Sequence, residues 1–180
     1  MIGNKLCHLR EDDYLIVAEW LSDPIDMTKT CGNTFEYPLS REAFINYFTK
    51  TPNTSKAERL CYKYLVDNRA VGMCSYMTID WKNNNAHIGY VVVAPTERRN
   101  GIGSLMLNAL LYIGFETYGL NRIDLFVLEN NEEAYQFYIN KVGFKDEGLI
   151  REIIRTDTGY LSWNSLSILA SEWKDNKRYC

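Results

Sequence analysis

Ala86-His87-Ile88-Gly89-Tyr90-Val91-Val92-Val93, followed shortly by Arg98-Arg99-Asn100-Gly101-Ile102-Gly103-Ser104, is the stretch that decides the fold. Its first half is an apolar run of strand length with turn residues beside it. Its second half is a polar loop with two glycines that leads into a helical pattern, Gly103 to Tyr118. A glycine-rich loop at a helix N-terminus is an anion site. The first backbone N–H groups there lack an intrahelical acceptor, and the helix dipole adds positive potential. Glycine lets the main chain approach a phosphate closely, and Arg98 or Arg99 can add charge-assisted hydrogen bonds.

Upstream, Lys5 to Leu9 is a strand candidate, and Asp12 or Asp13 caps a helix with Tyr14, Val17, Ala18 and Leu21 on one face. Pro24 reads as its stop signal, and Ser22 to Leu39, which holds no period, reads as a long loop. Ser40 opens a second helix with Ala43, Phe44, Tyr47 and Phe48 on its apolar face, and Thr51 to Lys56 is a polar connector. Leu60 to Val66, Val71 to Ile79 and Ala86 to Val93 are then three strands separated by Asp67-Asn68-Arg69-Ala70 and Lys82-Asn83-Asn84-Asn85. That spacing predicts an antiparallel meander.

Downstream, Arg122 to Leu128 is a strand, Glu132 to Val142 a helix ended by Gly143, and Phe144 to Ile154 and Ser162 to Leu169 two more strands. The order β-α-α-β-β-β-α-β-α-β-β predicts a single α+β domain over residues 1–180. Its mixed, mostly antiparallel sheet has six or seven strands with helices on both faces. A helix joins Val93 to Arg122, so those two strands should be parallel neighbours.

The composition excludes several classes. With 180 residues, 46% hydrophobic and 24% charged, the chain is long enough to bury a real core. A net charge of −3 argues against a nucleic-acid binder that works by bulk positive charge. Leu105 to Phe115, the most apolar stretch, falls well short of the ~20 residues that span a bilayer. The five cysteines lie far apart without a C-x-x-C, and only two histidines occur, which disfavours zinc and suits free thiols in a cytoplasmic protein.

Three phosphate-binding loops compete for residues 98–104. A Walker loop needs a lysine after its second glycine, and Ser104 stands there. A dinucleotide fingerprint needs Gly or Ala where Met106 stands; Asp124 falls near the place of its acidic residue, but Thr96 to Asn100 separate strand from glycines. The third pattern is Arg98-x-x-Gly101-x-Gly103. A helix start that merely needs glycine is the plain alternative.

The segment Asn131-Glu132-Glu133-Ala134-Tyr135-Gln136-Phe137-Tyr138, with Gly143-Phe144 after it, raises the signal. Together with Arg98-x-x-Gly101-x-Gly103 it resembles the GCN5-related N-acetyltransferase superfamily, from about Leu6 to Leu169. Leu9-Arg10-Glu11-Asp12-Asp13 and Trp20-Leu21-Ser22-Asp23-Pro24 resemble the branches that acetylate ribosomal proteins and spermidine. The resemblance implies acetyl-CoA as donor. Backbone N–H groups of Arg98, Arg99, Asn100, Gly101, Ile102, Gly103 and Ser104 would hold its pyrophosphate. The backbone of Val91, Val92 and Val93 would pair with the pantetheine arm where the two parallel strands splay apart, and Asn131 would contact that arm or simply cap its helix.

Tyr138 matches the family's general acid, which protonates the departing thiolate; a phenol with pKa near ~10 is still protonated at neutral pH. It shares a helix face with Ala134, so core packing is the rival role. His87 stands where several relatives carry a glutamate base, and strand alternation would put it on one face with Gly89 and Val91. An imidazole can take a proton from an ammonium near neutral pH, directly or through water. An acyl-enzyme route through Cys74 has no second histidine placed to support it.

The acceptor is expected to be a small-molecule or peptide amine, shaped by the loop from Ser22 to Leu39 and the turn from Thr156 to Tyr160. These segments carry Asp23, Asp26, Glu36, Phe35, Tyr37 and Tyr160, a mixture that suits an ammonium but reads first as that of an ordinary loop. No nucleic acid or membrane partner is expected, and a homodimer stays open. A non-catalytic acyl-CoA-binding module on the same fold, and a dinucleotide-binding protein, are the rival functions.

Overall fold

The computed structural model describes residues 5–50, 57–156 and 159–177. Along the chain come β1 (Lys5–His8), α1 (Tyr14–Trp20), α2 (Pro24–Cys31), α3 (Arg41–Phe44), β2 (Leu60–Val66), β3 (Arg69–Asp80) and β4 (Asn85–Val93). These are followed by α4 (Ile102–Tyr112), β5 (Arg122–Leu128), α5 (Glu132–Phe137), β6 (Lys145–Thr156), β7 (Gly159–Leu169) and α6 (Ala170–Lys177). Wider π-type turns continue α3 over Ile45–Thr49, α4 over Ile113–Thr117 and α5 over Tyr138–Val142. The expected polar connector from Thr51 to Lys56 lies outside the described residues.

The strands form one seven-stranded sheet in the order β1-β2-β3-β4-β5-β7-β6. β4 and β5, joined by the α4 crossover, are parallel; the other neighbours are antiparallel. Asp67 and Asn68 both take positive φ and close the β2–β3 hairpin as a two-residue turn. The sheet has a core on each face. Val17, Trp20, Met27, Cys31, Phe44 and Phe48 from the first three helices fill one. Met106, Leu107, Leu110 and Leu111 of α4, with Phe144 and Trp173, fill the other. Among the described residues, no helix is long and apolar enough to cross a membrane.

Two expectations need correction. Residues 22–39 are not one loop, because α2 lies within them. Pro24 does not stop α1. It occupies the first turn of α2, where its missing N–H costs nothing, and Asp23 is the cap. Asp23 Oδ1 accepts from the N–H groups of Ile25 and Asp26 at 2.8 and 3.0 Å.

The second correction concerns β4. Tyr90 takes φ +51°, and the register against β3 jumps between Met73↔Val92 and Ser75↔Gly89, so β4 holds one extra residue there. The bulge reverses which face each later side chain meets. Ala86 and Ile88 enter the α4 core, whereas Tyr90 and Val92 enter the core under α1–α3. Val91 packs toward the α4 side, while a Cβ at Gly89 would meet Met77, which packs on the opposite core. Val91 therefore does not share a face with Gly89.

If Asp23 terminates α2 as described, Asp23→Ala should cost about 1 kcal/mol, and Asp23→Asn should retain most of the stability. For a chain of this size the loss corresponds to roughly 2–4 °C in Tm. Equal melting temperatures for wild type and the alanine variant would show that the cap contributes nothing.

Candidate active site

Pairing between β4 and β5 covers only Asn85↔Arg122, Ala86↔Ile123 and His87↔Asp124. Beyond this point the two parallel strands run on without pairing, and two cavities occupy the opening. One, of about 110 Å³, is lined by Val91, Asn131, Ala134 and Tyr138 among others. The other, of about 100 Å³, is lined by His87, Thr34, Met77 and Trp163 among others. They share Lys29, Thr30, Ile88, Gly89, Tyr90 and Phe126, so Gly89 and its neighbours form a common wall. A larger concavity of about 450 Å³ lies on the β1–β2 edge around Cys7, Arg10 and Lys63, and shares no lining residue with the cleft.

Tyr138 begins the π-type turn after α5, and its carbonyl accepts from the N–H groups of Gly143 and Phe144, both at 3.0 Å. Gly143 ends the turn at φ +92°, as its place in the sequence suggests. The ring packs on Phe137 and Phe144. Burial pushes the phenol above its ordinary pKa, and its hydroxyl has no hydrogen-bond partner among the described residues. Its proton is held more tightly than an ordinary phenol's, and the residue lines the first of the two cavities. Cys74 is fully buried, and burial raises its thiol well above the ordinary value, so it is a poor nucleophile.

His87 lies on the last paired rung. Its Nδ1 is 2.5 Å from Asp124 Oδ1. Asp124 is 3.3 Å from the Arg122 guanidinium, which also donates to both oxygens of Glu147 at 2.6 and 2.7 Å. These bonds hold the Glu147 carboxyl below its usual pKa, and Ser167 Oγ donates to it at 2.8 Å. The imidazole packs at 4.5 Å against Phe126, which stacks at 5.1 Å on Trp163. Asp124, Phe126 and Trp163 were not identified as site residues from sequence. Phe126 and Trp163 belong to different strands and meet diagonally, since Leu128 is the residue opposite Trp163.

The loop before α4 combines motif residues in unequal roles. Gly101 takes φ +77°, and a Cβ there would meet nothing within 4 Å. The N–H groups of Ile102, Gly103 and Ser104 have no acceptor among the described residues, and no side chain caps the helix. Unpaired N–H groups at a helix N-terminus carry partial positive charge. The side chain of Ile102 is buried in the core, so only its main chain faces outward. A Cβ on Gly103 would lie 3.3 Å from Phe137 and 3.7 Å from Val93, so this glycine serves close packing. Arg98 is tied to Asp26 at 2.8 Å and to the Val93 carbonyl at 3.3 Å. Arg99, at φ +64°, is exposed and 3.8 Å from Glu133, and Asn100 lies in the turn between them and Gly101. Asn131 Oδ1 accepts from Ala134 N at 3.4 Å, so it caps α5 while also lining the cavity.

The acids and aromatics of residues 22–39 and Tyr160 take the places of ordinary loop residues rather than gathering around an ammonium site. Asp23 caps α2, Asp26 holds Arg98, and Phe35 packs among Tyr47, Phe48 and Tyr90. Tyr37 donates to the Ser22 carbonyl at 2.8 Å, and Tyr160 is exposed on β7. None of the five lines either cavity of the cleft, and neither does Glu36.

The acetyltransferase (GNAT) family model matches residues 17–144. The chain belongs to that family. Membership assigns the enzyme class, acetyl-CoA-dependent acyl transfer, and with it the donor. Among relatives, the "Uncharacterized N-acetyltransferase YoaA" of Bacillus subtilis (strain 168) is 32% identical over 82 residues, 46% of this chain and 45% of that protein. The "Uncharacterized N-acetyltransferase p20" of Bacillus licheniformis is 24% identical over 90% of both chains. A crystal structure of spermidine N-acetyltransferase from Vibrio cholerae in complex with CoA and spermine superposes with a TM-score of 0.80. It covers 96% of this chain and 98% of that one at 20% identity, a likeness of fold.

Gly101 separates cofactor contact from packing better than Gly103. Gly101→Ala places a methyl in open space at a backbone strain of about 1–2 kcal/mol, so the protein should stay folded. Its affinity for acetyl-CoA by calorimetry should fall at least tenfold, and an unchanged affinity removes this loop from the donor site.

Proposed function

We propose that the chain N-acetylates a primary amine by direct attack on acetyl-CoA in a ternary complex, with Tyr138 as general acid and His87 as general base. The observation that carries this reading is the cleft beyond the His87–Asp124 rung, where an unbonded phenol and an imidazole held by a carboxylate face adjoining cavities with a common wall.

Acetyl-CoA supplies the thioester. The uncapped N–H groups of Ile102, Gly103 and Ser104, with the turn of Arg98, Arg99, Asn100 and Gly101, suit its pyrophosphate, and the unpaired edge of β4 from Val91 through Val92 to Val93 suits its extended arm. Asn131 borders the same cavity. His87 donates Nδ1–H to Asp124, which leaves the Nε2 lone pair to take a proton from the acceptor ammonium, directly or through water. The amine nitrogen forms its bond to the acyl carbon, and the C–S bond breaks. Tyr138 gives its proton to the departing thiolate, the phenolate recovers one from the newly bonded nitrogen, which thereby becomes the neutral amide, and His87 releases its proton to solvent.

Tyr138→Phe removes one oxygen and almost no volume. Acetyl-CoA binding should persist while kcat falls by roughly 10²–10⁴ where chemistry limits turnover. Burial keeps the wild-type phenol protonated through the mildly alkaline range, so this residue should contribute no falling limb there. Wild-type turnover in the variant makes Tyr138 a packing residue. Acetyl-CoA binding without thiol release from any amine makes the chain a non-catalytic module.

His87→Gln tests the base. Protonation of the imidazole removes the acceptor lone pair, so wild-type kcat/KM should fall as pH drops, and with the same amine the variant should lose that limb. A limb that persists at the same pH belongs to the amine or to another group.

A further inference from the structure

Charge and shape on the acceptor side of the cleft select among amines. Phe126, 38% exposed, and Trp163 form a stacked aromatic shelf beside His87, and Met77 adds an apolar side. No carboxylate is among the described residues that line either cavity, whose one formal cation is Lys29. Lys29 lines both cavities, and its ammonium has no ion-pair partner among the described residues. The nearby acids are committed elsewhere. Asp124, at the mouth of the cleft, is bonded to His87 and Arg122, Asp23 caps α2, Asp26 pairs with Arg98, and Glu129 accepts the N–H of Ser162 at 2.9 Å.

A polyamine brings two or more ammonium groups, and those beyond the reacting one need anionic partners to offset their desolvation. This cleft offers them a lysine instead. An aromatic ring finds two aromatic side chains at the cavity wall to pack against, and such contacts add to the area that they bury. We propose that the acceptor is a monoamine carried on a flat aromatic body seated on the Phe126–Trp163 shelf, and that Lys29 discriminates against polyamines.

The proposal rests on the acyl-transfer reading above, and binding separates the two. Phenethylamine and spermidine are titrated by calorimetry into the CoA-saturated wild-type protein and into Lys29→Glu. Phenethylamine should bind wild type at least tenfold more tightly than spermidine, and Lys29→Glu should narrow that ratio at least fivefold. Spermidine binding as tightly as phenethylamine, neither amine binding, or a ratio unmoved in Lys29→Glu each overturns the proposal. Thiol release from acetyl-CoA is then measured with the amine that binds. Binding without release refutes the catalytic reading and leaves the pocket's selectivity standing.

Discussion

Tyr90 holds a backbone conformation that a bulky L-residue adopts only under constraint, at a cost of about 1–2 kcal/mol. Its surroundings impose it. The phenol donates to Tyr47 at 2.9 Å, and the ring meets Phe35, Tyr47 and Phe48 in the core beneath α1–α3. The extra residue that this conformation inserts in β4 turns Val91 and Val93 toward the α4 core while Gly89 faces the other side. β4 and β5 stay in register only as far as His87 and Asp124. The cleft, its two cavities and their common wall all follow from a strand pair that starts parallel and then parts.

Where pairing stops also decides what stands at the mouth of the opening. The last rung juxtaposes a histidine and an aspartate from two different strands, and a run of charge-assisted bonds through Arg122 and Glu147 to Ser167 fixes the aspartate from behind. The imidazole is thus oriented from one side by a carboxylate and packed from another by Phe126. Tyr138 reaches the neighbouring cavity from the opposite element, at the start of a π-type turn that Gly143 ends.

Much of this was legible in the sequence where a local rule governs. Arg122–Leu128 and the helical stretch from Glu132 to Val142 keep their read boundaries, because period, cap and stopping glycine all lie within the segment. α2 was missed because Asp-Pro serves equally as an end and as a beginning, and which one applies depends on whether the residues after it find a core; Met27 and Cys31 do. The bulge was missed because tyrosine carries no preference for positive φ, so its conformation is a property of the packed core. Asp124 as the partner of His87 became visible only through strand register, and the Phe126–Trp163 shelf only through a diagonal between strands far apart in sequence.

The two sides of the cleft are built from different materials. The side toward α4 presents main-chain N–H groups and an unpaired strand edge, which every residue type but proline supplies. The side toward α2 presents side chains: Thr28, Lys29 and Thr30 from a short capped helix, and aromatic rings from β5 and β7. Away from Gly101 and Gly103, substitutions on the first surface leave its hydrogen-bonding pattern unaltered, whereas one or two replacements redraw the second. A scaffold divided in this way can exchange one partner in evolution while keeping the other, since the positions that diverge are not those on which the shared contact depends.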